Sequence, residues 1–210
     1  MEGRIVGQKR TRVLGEEEKQ GLLGQFNSRY RSSLRNLCLI RLMLESGLRC
    51  GEVISLEASF FDPEYRRLTV RGARARDRVV PLDDDLIDLI HLWLNRRPQS
   101  RWLFCTGSGG QLDARYVRGM VKRYAKKAGI SDPHEVSPRT LRHTYAADLY
   151  AYSRDVTLLQ RRLGHSYRSS TVSYIKMVVA GERRGCASGL ESNGNDISRP
   201  RIRTDRRTLT

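Results

Sequence analysis

Four short segments carry the residue types from which a charged reaction centre can be built. They are Ser46-Gly47-Leu48-Arg49-Cys50-Gly51-Glu52, a basic run over residues 70–82, Ser137-Pro138-Arg139-Thr140-Leu141-Arg142-His143-Thr144, and Leu163-Gly164-His165-Ser166 followed by Thr171-Val172-Ser173-Tyr174. A guanidinium presents a planar fork that grips two oxygens of an anion at once. An imidazole donates or holds a proton near neutral pH. A phenol, with an ordinary pKa of about 10, becomes a nucleophile when a cationic pocket or a base helps it lose its proton. Arg49, Arg142, His165 and Tyr174 thus offer charge stabilisation around an oxyanion and one nucleophilic oxygen. Taken singly, each is ordinary: a lone arginine after Gly-Leu is a solvated surface residue, and a lone tyrosine on a helix is core. Only their joint order gives them weight.

Such residues need elements to hold them, and the hydrophobic period supplies these. A helix is expected over residues 14–27, its acidic first turn (Glu16, Glu17, Glu18) suiting the helix dipole. Leu34, Leu37, Cys38, Leu42 and Leu44 give residues 34–45 a helical pattern rich enough for burial, stopped by Gly47, and a short helix follows over 50–56. The period then changes: residues 67–71 and 78–82 read as the arms of a β-hairpin. Further helices are expected over 83–95, 116–128 and 138–152, from the Asp155 cap to Leu163, and over 169–179. Arg49 falls at a helix–helix junction, Arg142 within a helix opened by Pro138, and Tyr174 on the last helix.

The bulk properties favour a nucleic-acid partner. The 210 residues suffice for one domain, and the formal net charge is +16 at a sequence pI near 10.4. Only six of the 39 basic residues are lysine, at positions 9, 19, 122, 126, 127 and 176. Cys38, Cys50, Cys105 and Cys186 form no C-x-x-C pair and have no histidine at ligand spacing, so reduced thiols are expected. No stretch approaches the roughly 20 apolar residues that span a bilayer. The opening MEGRIVGQKRTR has no apolar core of a secretory signal. Residues 1–13 read as a basic arm, and residues 185–210, rich in Gly, Ser, Asn and Arg, as a disordered basic tail.

In order and spacing, the four segments resemble the tyrosine recombinase (phage integrase) family. Its members carry a G-L-R-x-x-E box, a G-K-G-x-K-x-R-x-V-P-L hairpin, an H-x-L-R-H-T box, then L-G-H-S and a tyrosine. This chain has GLRCGE, a hairpin ending RVVPL, RTLRHT, LGHS and a tyrosine nine residues past His165; the likeness covers residues 14–180. The resemblance implies a mainly α fold with a small antiparallel β-sheet, the catalytic domain running over 14–184. It implies a site-specific DNA recombinase in which Tyr174 attacks a phosphodiester, leaving a covalent 3′-phosphotyrosine and a free 5′-hydroxyl. Arg49 and Arg142 would clamp the non-bridging oxygens, His165 would add a hydrogen bond, Glu52 would buttress the clamp and Arg139 would stabilise charge. Arg71, Arg74, Arg76, Arg78, His143 and Lys122 would meet the DNA. The implied partners are double-stranded DNA and further copies of the chain, as a dimer or tetramer synapse, with no membrane, no metal and no cofactor. A cytoplasmic, nucleoid-associated location follows.

The chain departs from the pattern at three points. The family's hairpin lysine, the general acid for the leaving 5′-oxygen, falls at Ala73, and no lysine lies between residues 19 and 122. Arg139 stands where the family most often has a histidine able to accept the tyrosine proton. Most members also carry a helical DNA-binding domain of about a hundred residues ahead of the catalytic one; here about 13 residues precede the first expected helix. The chain thus resembles the short members, such as the fimbrial-switch invertases, or a fragment of a longer recombinase. Three activities stay open: an active recombinase, a catalytically impaired DNA-binding protein of the same fold, and a nicking and relaxing enzyme resembling the type IB topoisomerases.

Overall fold

The computed structural model describes residues 11–72 and 77–182. Eight helices follow one another among these residues: α1 (Glu16–Leu23), α2 (Arg31–Ser46), α3 (Cys50–Ile54), α4 (Asp84–Arg96), α5 (Ala114–Lys127), α6 (Pro138–Ser153), α7 (Val156–Leu163) and α8 (Arg168–Glu182). Between α3 and α4 lie a 3₁₀ turn (Ala58–Phe60) and three strands, β1 (Phe61–Asp62), β2 (Arg67–Val70) and β3 (Arg78–Pro81). The mainly helical class with one small antiparallel sheet is as expected. No described helix is long and apolar enough to cross a membrane.

Helix α2 is the axis of the core. Leu34, Leu39, Ile40, Leu42 and Met43 are all fully buried, with α4, α6 and α1 packed against the helix. It ends at Gly47, whose φ of 63° is the left-handed conformation that glycine adopts without strain, and the Gly47 N–H bonds the Met43 carbonyl at 3.0 Å. The later helices start on side-chain caps. Asp83 accepts from the Leu86 N–H at 2.7 Å, and Asp155 accepts from Thr157 and Leu158 at 2.7 and 3.0 Å. In the sheet, β2 lies between β1 and β3; Leu68 pairs with Val80 on the buried face while Thr69 pairs with Val79 on the outer one.

Helices α6, α7 and α8 share a second, smaller cluster: buried Ala146, Leu159 and Leu163, with Tyr145, Leu149, Tyr150, Tyr174 and Ile175 packed against it. The helix bearing Tyr174 is therefore anchored by a minor core.

Several element bounds differ from expectation. The first helix closes at Gly24, short of residue 27, because the chain turns there and the Gly24 N–H caps back onto the Gln20 carbonyl at 2.9 Å. Helix α2 starts at Arg31 rather than 34. Helix α5 starts at Ala114 because Asp113 accepts from the Arg115 N–H at 2.8 Å, a cap the apolar pattern did not reveal. The hairpin gains a third strand, too short at two residues to show alternation. Ala73, Arg74 and Arg76 and the expected tail over 185–210 lie outside the described residues, as does most of the arm over 1–13.

Candidate active site

The site begins where the left-handed Gly47 turns the chain from α2 into α3. Arg49 sits at the N-terminus of α3 with its side chain 48% exposed, and Glu52 lies one turn on, 12% exposed. Glu52 is the local hub. Its carboxylate accepts from the Arg49 N–H at 2.7 Å, from Arg49 Nη1 at 3.0 Å, and from both terminal nitrogens of Arg78 at 2.8 Å each. The Arg78 fork therefore meets the carboxylate in the paired geometry that gives the strongest hydrogen bonds. Burial pushes the Glu52 carboxyl up, but the hydrogen bonds and charge of Arg78, then Arg49, more than offset it and hold the pKa below its ordinary value.

Arg142 comes from the middle of α6 and is 6% exposed. Its Nη1 donates to the Gly47 carbonyl at 2.7 Å, and its Nη2 donates to the Leu163 carbonyl at 2.9 Å and to Nε2 of His165 at 3.2 Å. Two carbonyls from two helix C-termini thus fix the guanidinium, and Glu52 stands 3.9 Å away. Burial, then the Arg49 charge, lowers the Arg142 pKa to about 10, which leaves it a cation at neutral pH.

His165 follows the left-handed Gly164 that ends α7. Because Arg142 can only donate, Nε2 is the lone-pair nitrogen, and the neutral ring directs its Nδ1 proton to Thr171 Oγ1 at 3.0 Å. Burial, then the charges of Arg142, Arg49 and Arg78, lowers the His165 pKa to about 4, which agrees with a neutral ring.

Tyr174, on α8, is gripped by two imidazoles. His165 meets its ring edge-on with centroids 5.4 Å apart, and His143 stacks on it at 5.1 Å with 28° between planes. Its hydroxyl is buried without a hydrogen-bond partner. Burial raises the phenol pKa, against the charge of the Arg142 guanidinium and the approach of its donor to the phenol oxygen, and against the charges of Arg139 and Arg49. Beside this group opens a cleft of about 860 Å³ lined by Arg49, Glu52, Asp77, Arg78, His165 and Ser166 among others. Arg49, Arg78, Arg142, Arg161 and Arg162 outnumber the carboxylates of Glu52 and Asp77 around the cleft, so the centre is net positive, suited to an anion.

The structure therefore brings Arg49, Glu52, Arg142, His165 and Tyr174 together from three helices and two turns. Arg139 stands at the surface of α6, its Nε donating to His143 Nε2 at 3.1 Å. Arg71 is exposed over the Phe60 ring at 4.8 Å, and Lys122 is exposed on α5.

Two of the expected DNA contacts are placed largely inside the structure. Arg78 is only 11% exposed, and its fork is occupied by Glu52 and its Nε by the Arg162 carbonyl at 3.1 Å. It is a tie between sheet and site. His143 is 4% exposed, enclosed by Tyr174 and Arg139, and so is not a surface contact. Sequence reasoning missed Thr171, fully buried and holding the His165 ring, because a threonine six residues on carries no distinguishing signal. Among the described residues no cluster of His, Cys, Asp and Glu is arranged to hold a metal ion.

The model of the phage integrase family matches residues 12–179. The tyrosine recombinase XerD of Caulobacter vibrioides is 34% identical over 189 residues, which is 84% of this chain and 60% of that protein. The tyrosine recombinase XerA of Thermococcus kodakarensis is 35% identical over 150 residues, 69% of this chain and 52% of that protein. The chain spans about half the length of the curated relatives it matches. Among solved structures, the XerH site-specific recombinase bound to a palindromic difH substrate superposes with a TM-score of 0.71 at 26% identity, covering 83% of this chain and 52% of that one. The crystal structure of XerA recombinase superposes at 0.69 with 23% identity, over 84% of this chain and 67% of that one, a likeness of fold. With a family match that takes in the GLRCGE turn, the RTLRHT helix, LGHS and Tyr174, the chain belongs to the phage integrase family.

Proposed function

We propose that the chain is a site-specific recombinase domain that cuts and rejoins duplex DNA through Tyr174. The observation that carries this reading is the arrangement of Arg142, locked by two backbone carbonyls, beside His165, with Arg49 open to the cleft and the Tyr174 ring against His165. A scissile phosphate entering the cleft meets fixed positive charge where negative charge grows as the phosphorus is attacked, and such preorganised charge needs no reorganisation during the reaction. The Tyr174 hydroxyl gives its proton to water as its oxygen forms the bond to phosphorus, the bond from phosphorus to the 5′-oxygen breaks, and that oxygen takes a proton from water to leave as a 5′-hydroxyl. The 3′-phosphotyrosine keeps the energy of the broken bond, so the reverse attack by a 5′-hydroxyl rejoins the strand.

Solved relatives support the partners. XerH was determined on its difH substrate and a lambda integrase fragment as a dimer bound to a core site. We extend this to double-stranded DNA and a homo-oligomeric synapse for this chain, in a nucleoid-associated setting. The domain division is part of the same proposal: an arm over residues 1–13, the catalytic domain over 14–184 and a basic tail over 185–210.

A second reading, a DNA-binding protein of the same fold with impaired chemistry, is favoured by Ala73 and Arg139, neither of which transfers a proton readily. One variant separates the two. Arg142→Ala should bind duplex DNA close to wild type while strand cleavage falls by about 10²–10³. A wild-type chain that binds duplex but cleaves no faster than this variant would favour the second reading.

A further inference from the structure

Among the described residues, three buried side-chain polar atoms have no hydrogen-bond partner: Arg12 Nε, His143 Nδ1 and the Tyr174 hydroxyl. Buried polar atoms in folded proteins are almost always paired, so each exception asks for a reason. Two of these three belong to rings stacked face to face at 5.1 Å. Their hydrogen-bond chemistry is complementary. Arg139 Nε can only donate, and it reaches His143 Nε2 at 3.1 Å, so Nε2 holds the lone pair and the neutral ring keeps its proton on Nδ1. His143 therefore presents an unused N–H donor alongside a phenol oxygen that becomes an acceptor when it ionises.

We infer that His143 is a further catalytic residue, whose Nδ1–H receives the Tyr174 oxygen as a hydrogen-bond acceptor when that oxygen turns to attack phosphorus. This rests on the recombinase reading of Tyr174. Arg139 sets the ring's tautomer from the outer side of α6, one helical turn before His143. His143 keeps its own proton throughout; the phenol proton passes to solvent water. Burial, then the Arg139 and Arg142 charges, lowers the His143 pKa to about 4, so the donor is a neutral imidazole at working pH. A neutral donor stabilises the phenolate without adding a further positive charge to the centre. This gives the arginine at position 139 a use that does not require it to accept a proton.

The experiment exploits the shapes of two amides. Asparagine places its N–H where His143 has Nδ1; glutamine places its own near Nε2. The nine tyrosines are separated by subtracting the alkaline ultraviolet titration of the matched Tyr174→Phe chain, which isolates the Tyr174 phenol without needing catalysis. His143→Asn should titrate as wild type, whereas His143→Gln should titrate about one pH unit higher. On DNA, the Gln variant should attach about tenfold more slowly near neutral pH and converge with wild type as the pH rises, because the phenolate fraction falls tenfold per unit. Equal titrations in all three chains, or equal rises in both variants, would overturn the inference. Should a variant fail to fold, ¹⁵N shifts of the wild-type His143 ring still decide: a protonated Nδ1 is expected, and a protonated Nε2 would overturn it. A chain that shows the predicted titrations yet never attaches to DNA would count against the recombinase reading instead.

Discussion

Replacing Glu52 by Gln keeps the shape of the site hub and removes its charge. In the native chain that carboxylate accepts four hydrogen bonds, two from Arg78, and stands 3.9 Å from Arg142. The amide can accept through one oxygen only, and its NH₂ faces a guanidinium donor. Side chains 11% and 12% exposed make Arg78 and Glu52 a nearly buried pair, and breaking such a pair from one side costs about 3–5 kcal/mol. The adjoining cleft admits some water, so the lower figure of about 3 kcal/mol applies. For a domain of this size that is a melting temperature lower by about 6–12 °C. Thermal unfolding of wild type, Glu52→Gln, Arg78→Gln and the double variant closes a cycle, in which the pair should couple by at least about 1.5 kcal/mol. The same substitution removes one negative charge from a phosphate site, so duplex binding should strengthen at low salt while cleavage slows. A melting change under about 2 °C with no coupling would refute the tie and return Arg78 to the DNA surface.

Acid should weaken the fold through His143. Its pKa falls from 6.5 to about 4 in the folded chain, so the unfolded chain binds more protons between those values. The contribution is complete above that window and is lost as pH drops through it, by about 3 kcal/mol at about 1.4 kcal/mol per pH unit. Urea unfolding near pH 7 and pH 4 should show His143→Asn less acid-sensitive by that amount; identical sensitivity would contradict the burial argument. Gly47→Ala should cost several kcal/mol, since a Cβ there meets the Tyr145 ring and comes within 3.1 Å of Leu163 at a φ of +63°. Because the Gly47 carbonyl also holds Arg142, cleavage should fall at temperatures where the variant is still folded, and wild-type cleavage would count against that link.

Much of the fold was legible because its signals are local. The apolar run from Leu34 to Leu44 reads as a buried helix, Gly47 as its stop, and Asp155 as the cap of the helix that ends at Leu163. The candidate reactive residues stood out through the order of the motifs, since Arg49, Arg142, His165 and Tyr174 keep the family's spacing. What escaped was what distance in the chain conceals. Arg78 and Glu52 are 26 residues apart, and nothing in RVVPL says that its arginine turns inward to a carboxylate. His143 read as either a structural residue or a contact to the DNA backbone, and its helical position, one residue past buried Arg142, turns it inward against α8. Thr171 shows its purpose only once α8 folds back over α7.

The central claim is that the Tyr174 oxygen becomes covalently bound to DNA. Nicked duplexes of randomised sequence, which lose the leaving strand by diffusion, trap that state whatever the target site is. Incubated with the chain, digested and analysed by mass spectrometry, they should yield a single nucleotide-bearing peptide modified at Tyr174 and carrying a 3′-phosphate link, absent from Tyr174→Phe. Duplex binding with no adduct, or an adduct that persists in Tyr174→Phe, would contradict the account.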